Sequence, residues 1–427
     1  MAVVGVSKSL NRTLFLVGLA TLLVLSVISI CVYKSQDSLL PFMNINNESS
    51  VSHGSVSSIN SDKQLEEVAK VDQTQEDQKD QVEQNQNHNG SSFIKSEYKS
   101  ATSPYKRVEF LSPTLINHNN NSVLILVLIG PKSPFGRDRN FEEFMATIGK
   151  LYANSETELT ISMGFLINVE EEFDKVVQFF DLNFEKLIQE APTPISRITV
   201  STNTDLDKNL GFSRDHRHDS EVQRLRRRAI AKNRNYLTIS TLKDEQYLLF
   251  LDSDIIDFER PHRILSTFIE SGKDIIVPRI SKGANVDYDL NSWKGKRPKP
   301  NDMQLKLLDE GKIVEAAYYP EKVEAAAGAA SGTLHFRNFL HDKEYSEFRH
   351  NYKHAVELDS VGGAMLFMKA DVFRMGANFP TSYIVGTTWD RSEGYDGIET
   401  EGICYLAKPL GFKCWGYPNV VGIHSPG

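Results

Sequence analysis

Two carboxylates one residue apart, Asp252 and Asp254, close the apolar run Tyr247-Leu248-Leu249-Phe250-Leu251. A run with no polar alternation reads as a strand buried on both faces of a sheet. In α/β sheets, ligands gather beyond the carboxyl ends of such strands. Paired carboxylates there suit a hard divalent cation, which takes oxygen ligands and keeps positions for water and substrate phosphates. The competing reading is a strand that ends in an acidic turn, since Asp is common in turns.

Four other stretches carry residue types that could serve such a site. The basic segment from about Glu221 to Leu242 has helical spacing. Val222, Leu225, Ala229 and Tyr236 line one side, while Arg227, Ala231 and Arg234 line another, with Arg228 and Asn235 beside them. Guanidinium groups flanking an alanine could grip a diphosphate bidentately, or form a solvated face. Tyr288-Asp289-Leu290-Asn291-Ser292-Trp293 joins a carboxylate, an amide and aromatics. Asp289 could accept hydrogen bonds from sugar hydroxyls, and Tyr288 or Trp293 could pack on sugar faces; otherwise the segment is a turn. Glu399 and Glu401 open a helix, where acids are ordinary, yet either could face an acceptor. His424 follows a short apolar strand, and its neutral imidazole could complete a metal shell if the tail folds back to the aspartates.

The elements that must position these residues alternate. Val123 to Ile129, Leu159 to Asn168, Ile198 to Thr202 and Tyr247 to Leu251 read as strands. Helical patterns from Phe141 to Ala153, Glu171 to Ala191 and Glu221 to Leu242 separate them. This predicts an α/β domain, a Rossmann-type, mostly parallel sheet with helices on both faces. Arg263 to Ser271 continues as a helix and Asp274 to Pro278 as a strand. Gly295 to Glu324 reads as a long polar loop, and Val361-Gly362-Gly363 as a loop feeding a strand. No Gly-x-Gly-x-x-Gly or P-loop pattern occurs, so a dinucleotide fold fits less well.

Four segments follow for the 427-residue chain: tail 1–13, anchor 14–33, stem 34–121 and folded domain 122–427. Leu14 to Tyr33 is an uncharged run of roughly 20 residues, long enough to span a bilayer. A cleaved signal peptide would have a shorter core. Lys8 and Arg12 precede the run, which places the body of a single-pass type II protein in the lumen. The stem is rich in Ser, Asn, Gln and charge, a composition that cannot offset the entropy of ordering. Asn47, Asn89 and Asn120 head glycosylation sequons. The net charge of −8 gives no reason to expect nucleic acid as a partner. Of three cysteines, Cys404 and Cys414 could pair in an oxidising lumen or remain two buried thiols.

Taken in order, Asp252-Ser-Asp254, Tyr288-Asp-Leu-Asn-Ser-Trp293, Val361-Gly-Gly363, Glu399-Thr-Glu-Gly402 and Gly-Ile-His424 resemble the fungal mannan polymerase subunits. These form the Golgi α-1,6-mannosyltransferase family, also called glycosyltransferase family 62. The Arg227-Arg228 and Arg234-Asn235 pattern is similar too, as is the layout of anchor, stem and domain. The resemblance implies a GT-A-like fold, GDP-mannose as donor, manganese as metal and an N-glycan acceptor carrying an α-1,6-mannan backbone. It implies partner subunits in a polymerase complex of the Golgi membrane. By the same resemblance Asp254 and His424 hold the metal with Asp252 beside them, and Asp289 supports the sugar. The donor and the product are both α-linked, so configuration is retained, with Glu399 or Glu401 near the attacking hydroxyl. The rivals are a non-catalytic docking subunit and a transferase for another nucleotide-sugar.

Overall fold

The computed structural model describes residues 93–113, 121–131, 134–136, 138–206, 220–297, 299–312, 333–336, 343–387, 391 and 393–426. The anchor expected at 14–33, most of the stem and the three sequon asparagines lie outside them. Among the described residues no helix is long and apolar enough to cross a membrane.

The chain runs β1 (Ile94–Lys99), β2 (Tyr105–Leu111), β3 (Ser122–Ile129), α1 (Phe141–Tyr152), β4 (Thr160–Ile167), α2 (Glu170–Glu190), β5 (Ile195–Asn203), α3 (Ser220–Thr241) and β6 (Tyr247–Leu251). It continues with β7 (Ile255–Phe258), α4 (Ile264–Glu270), β8 (Ile275–Ser281), β9 (Trp293–Gly295), α5 (Asp302–Asp309), β10 (Thr333–His335) and α6 (Lys343–Phe348). Then come β11 (Val356–Leu358), β12 (Met365–Lys369), α7 (Ala370–Arg374), α8 (Thr400–Ala407) and β13 (Cys414–His424). The main sheet has the order β1-β2-β5-β4-β3-β6-β12-β8-β13-β11, with β7 also on β13. Its centre, β5-β4-β3-β6, is parallel. β12 then enters antiparallel to β6. The α/β class is as expected, and the sheet is mixed with a parallel centre.

The absence of alternation in β3 and β6 has a direct structural cause. In β3, Val123, Ile125, Val127 and Ile129 face one core while Leu124 and Leu126 face the other. In β6, Leu249 and Leu251 divide from Leu248 and Phe250 in the same way. Phe144 and Ile148 of α1 and Phe180 and Phe184 of α2 fill the first core. Ala231 and Leu237 of α3 and Ile403 and Ala407 of α8 fill the second. A sheet covered on both faces needs apolar residues at every strand position.

Three expectations require correction. The stem does not reach residue 121, because β1 and β2 extend the sheet beyond β5. Val108 and Phe110 of β2 are buried, and Phe93 meets Phe184 edge-on at 5.3 Å. The polar residues between those apolar ones hid a half-buried edge. The stretch from Gly295 is not wholly loop, since α5 lies within it, its first turn closed by a capping box between Asn301 and Gln304. On α3, Leu225 is half exposed, whereas Ala231, Arg234 and Leu237 are buried. The buried side of α3 is therefore one the wheel had assigned to cations.

Cys404 and Cys414 are joined by a disulfide that staples α8 to the start of β13. Residues 325–330 lie outside the described residues.

Candidate active site

Strand ends deliver the carboxylates and the imidazole at the centre of the site. Asp252 follows β6 directly, and its amide donates to the Ala364 carbonyl at 2.9 Å. This fixes the exit of β6 beside the entry of β12, with Gly362 and Gly363 alongside. Ser253 turns inward and donates to the Pro134 carbonyl at 2.6 Å. β13 returns along β7 with His424 opposite Ile255, and the Ser425 amide donates to the Asp254 carbonyl at 2.9 Å. The tail does fold back to the aspartates.

His424 and Asp254 meet at 3.2 Å, Nε2 to Oδ1. Nδ1 of His424 lies 2.7 Å from the Ser425 carbonyl, which can only accept, so Nδ1 carries hydrogen. A neutral ring would then turn its Nε2 lone pair toward a carboxylate. Two acceptors in contact call for a proton or a cation between them. Burial lowers the proton affinity of the ring, and the bond to Asp254 more than offsets it, so its pKa is raised. Tyr288 packs on the ring with centroids 4.9 Å apart.

The Asp254–His424 pair fits a divalent ion: imidazole and carboxylate both suit manganese. An ion held by two protein groups would draw its remaining ligands from water and substrate phosphate. Among the described residues no set of three or more His, Cys, Asp or Glu side chains is gathered for a metal. Asp252, expected as a third ligand, instead meets Arg234 Nη2 at 3.1 Å. Its surroundings exclude enough water to raise its carboxyl to about 6, helped by Asp254 and Glu399. Its side chain nonetheless keeps 42% of its surface open. A group that is both desolvated and open sits at the floor of a cleft.

Asp289 is anchored by its own turn, accepting from the Asn291 amide at 2.9 Å. A Cβ on Gly362 would stand 1.3 Å from Asp289 Oδ2. The carboxylate therefore occupies the space glycine leaves, and Ser292 Oγ accepts from the Gly362 amide at 2.9 Å. These contacts link the Tyr288–Trp293 segment physically to Val361-Gly-Gly363. Desolvation, with Asp252, Glu399 and Glu401 nearby, raises Asp289 to about 6.

The α3 residues expected on a diphosphate are all committed to protein partners. Arg234, 4% exposed, bonds the Gly363 carbonyl at 2.9 Å and meets Glu399 at 3.3 Å as well as Asp252. Arg227 holds Glu401 at 2.6 Å and approaches Glu399 at 3.9 Å. Arg228 pairs with Glu393 at 2.5 Å. Asn235 closes a two-way amide bridge with the backbone of Phe379, at 2.7 and 2.9 Å. In this structure these residues brace the acids of the site.

Glu401 has no exposed surface and cannot touch an acceptor, which corrects its predicted place at the reaction. Trp293 is likewise fully buried, stacked under Arg297 at 4.6 Å, and offers no face to a sugar. Glu399 stands at the start of α8 with φ of 56° and ψ of −132°, a sparsely populated conformation for a side-chain-bearing residue. Its amide donates to the Pro380 carbonyl at 2.9 Å. Sequence reasoning missed Asp396 and Arg297, which meet at 3.0 Å in the interior behind Glu401. Asp396 between Tyr395 and Gly397 gave a faint signal; Arg297 in a lysine-rich stretch gave none.

Comparison with known proteins follows the same elements. The Anp1 family model matches residues 105–383. The chain is 27% identical over 303 residues to "Mannan polymerase complex subunit MNN9" of Candida albicans, covering 70% of this chain and 74% of that protein. It is 30% identical over 224 residues to "Mannan polymerase complex subunit mnn9" of Schizosaccharomyces pombe, covering 52% of this chain and 58% of that protein. It is 29% identical over 217 residues to "Mannan polymerase I complex VAN1 subunit" of Saccharomyces cerevisiae, covering 49% and 35% respectively. A solved structure of GalNAc-T7 with UDP, GalNAc and Mn2+ overlaps at a TM-score of 0.33 and 11% identity, over 71% of this chain and 43% of that one. That likeness is too slight to establish a shared fold.

Proposed function

Because the chain belongs to the Anp1 family, we propose that it is a glycosyltransferase acting within a mannan polymerase complex. In this reading it moves mannose from GDP-mannose to an α-1,6-mannan backbone on N-glycans. The body faces the Golgi lumen behind a single-pass type II anchor at 14–33. The Cys404–Cys414 bond supports an oxidising setting. One observation carries the reading: strand β13 brings an imidazole to the Asp254 carboxylate just beyond the end of β6.

Asp254 and His424 would hold a manganese ion, which when bound supplies charge neutralisation for the donor's diphosphate. That contribution is needed, since the α3 cations are spent on Asp252, Glu399, Glu401 and Glu393. Asp289 accepts hydrogen bonds from the sugar, held in place against Gly362. Glu399 lies near the acceptor side, its carboxylate oriented by Arg234 and Arg227. The bond from the anomeric carbon to the phosphate oxygen breaks through an oxocarbenium-like state. The acceptor oxygen bonds to the same face, and its proton passes to the departing phosphate oxygen. Configuration is thereby retained.

A thermal-shift panel of GDP, UDP and CMP with and without manganese tests this. Stabilisation by GDP with manganese is expected, scaling with ligand concentration over Kd. Stabilisation by UDP or CMP instead would reassign the donor, and none by any nucleotide would favour a docking subunit.

A further inference from the structure

The mechanism above uses Glu399 but leaves the buried groups behind it without a task. Asp396 and Glu401 are both 0% exposed, and Arg297 keeps 1% of its side-chain surface. Two acids with no water cannot both ionise cheaply. We infer that Arg297, Asp396 and Glu401 form a positioning chain that fixes Arg227, and through Arg227 the Glu399 carboxylate, at the edge of the cleft. This inference rests on the transferase reading above.

The chain runs in contact from end to end. Arg297 is stacked over Trp293 in β9, and its Nε meets Asp396 Oδ2 at 3.0 Å. The Gly397 amide donates to Asp396 Oδ1 at 2.8 Å. Asp396 adjoins Glu401, each influencing the other's charge in the same dry interior, and Glu401 pairs with Arg227 at 2.6 Å. Arg227 then faces Glu399, whose other oxygen meets Arg234.

The proton placement is consistent along the chain. Burial, with Glu401 adjacent, raises Asp396 to about 8, which favours its neutral form at neutral pH. Burial opposes the charge of Glu401, but Arg227 more than offsets this and lowers its pKa. Glu401 is thus the ionised partner that Arg227 needs. With Asp396 neutral, each ionised acid of the chain, Glu399 and Glu401, meets a guanidinium. Such balance matters for a residue in a strained backbone conformation, which persists only where its surroundings over-determine it.

The test compares Asp396→Asn with Asp396→Ala in the full chain. The amide can still accept from Gly397 and keeps a neutral polar neighbour beside Glu401, while alanine offers neither. In Asp396→Asn, kcat should stay within about threefold of wild type. In Asp396→Ala, kcat should fall roughly 10- to 100-fold at nearly constant KM for GDP-mannose. Backbone amide exchange across residues 399–402, measured without ligand, should accelerate at least about tenfold in Asp396→Ala and not in Asp396→Asn. Equal loss in both variants, or wild-type exchange and kcat in Asp396→Ala, overturns the inference. If wild-type protein transfers no mannose, the transferase reading falls, while exchange still decides the positioning claim. Should Asp396→Ala fail to fold, Arg297→Gln with Arg297→Lys as rescue reads the same chain from its other end.

Discussion

Acids cluster in two places in the fold, and they do opposite work. Asp254 and His424 keep limited contact with solvent, and there a carboxylate faces an imidazole nitrogen that carries no hydrogen in the neutral ring. Asp396 and Glu401 sit in the dry interior, where each acid already has a guanidinium partner. Near-identical side chains thus become a ligand-seeking pair in one place and a closed strut in the other. Solvent access and the supply of arginine decide which. Asp252 is the most open of these acids, at 42% of its side chain, and is still paired with Arg234.

Glu401→Ala strikes the closed region and should produce the largest effect. It leaves Arg227 as a buried charge without its main partner, at a cost of about 3–5 kcal/mol. A urea titration should show the midpoint falling accordingly. Wild-type stability after Glu401→Ala would erase the distinction between the two regions.

A smaller effect comes from pH. Burial beside Glu401 pushes the Asp396 carboxyl up to about 8, against about 4 for an exposed Asp in the unfolded chain. A raised acid favours the protonated folded state, so its contribution to stability is present at low pH and declines as pH rises from about 4 to 8. Asp252 and Asp289, raised to about 6, add to the decline in its lower part. Melting curves from pH 6 to 9 should therefore slope downward in wild type and less steeply in Asp396→Asn. Parallel slopes would mean that the interior proton lies elsewhere.

The smallest effect on stability belongs to the Asp254–His424 pair. Asp254→Asn removes one member of a partly open pair and should change stability by no more than about 1 kcal/mol. Its consequence should appear in function alone, so calorimetric unfolding would show a near-wild-type transition in a protein that no longer transfers mannose.

Much of this was legible in the chain. The unbroken apolar runs of β3 and β6 announced strands covered on both faces, and placed Asp252 and Asp254 at a strand end. Alternating strand and helix patterns gave the parallel centre. The partners of long cations were not legible. Helical spacing grouped Arg227 with Arg234, but whether a guanidinium turns toward solvent or into the protein depends on what other elements bring to it. Glu399 and Glu401 arrive from α8, more than 150 residues later, and convert a presumed phosphate grip into a brace. β1 and β2 escaped notice because an edge strand with one wet face resembles polar linker. Glycine at 362 could be read as permitting close approach, but only the fold shows that Asp289 is what approaches.

The most direct test is isothermal titration of GDP into wild-type and Asp254→Asn protein, each with and without manganese. Tight binding in wild type that depends on manganese, with a loss of at least about 100-fold in Asp254→Asn, is the predicted result. GDP binding of equal strength with and without the ion, or unchanged in Asp254→Asn, would contradict an ion held between Asp254 and His424.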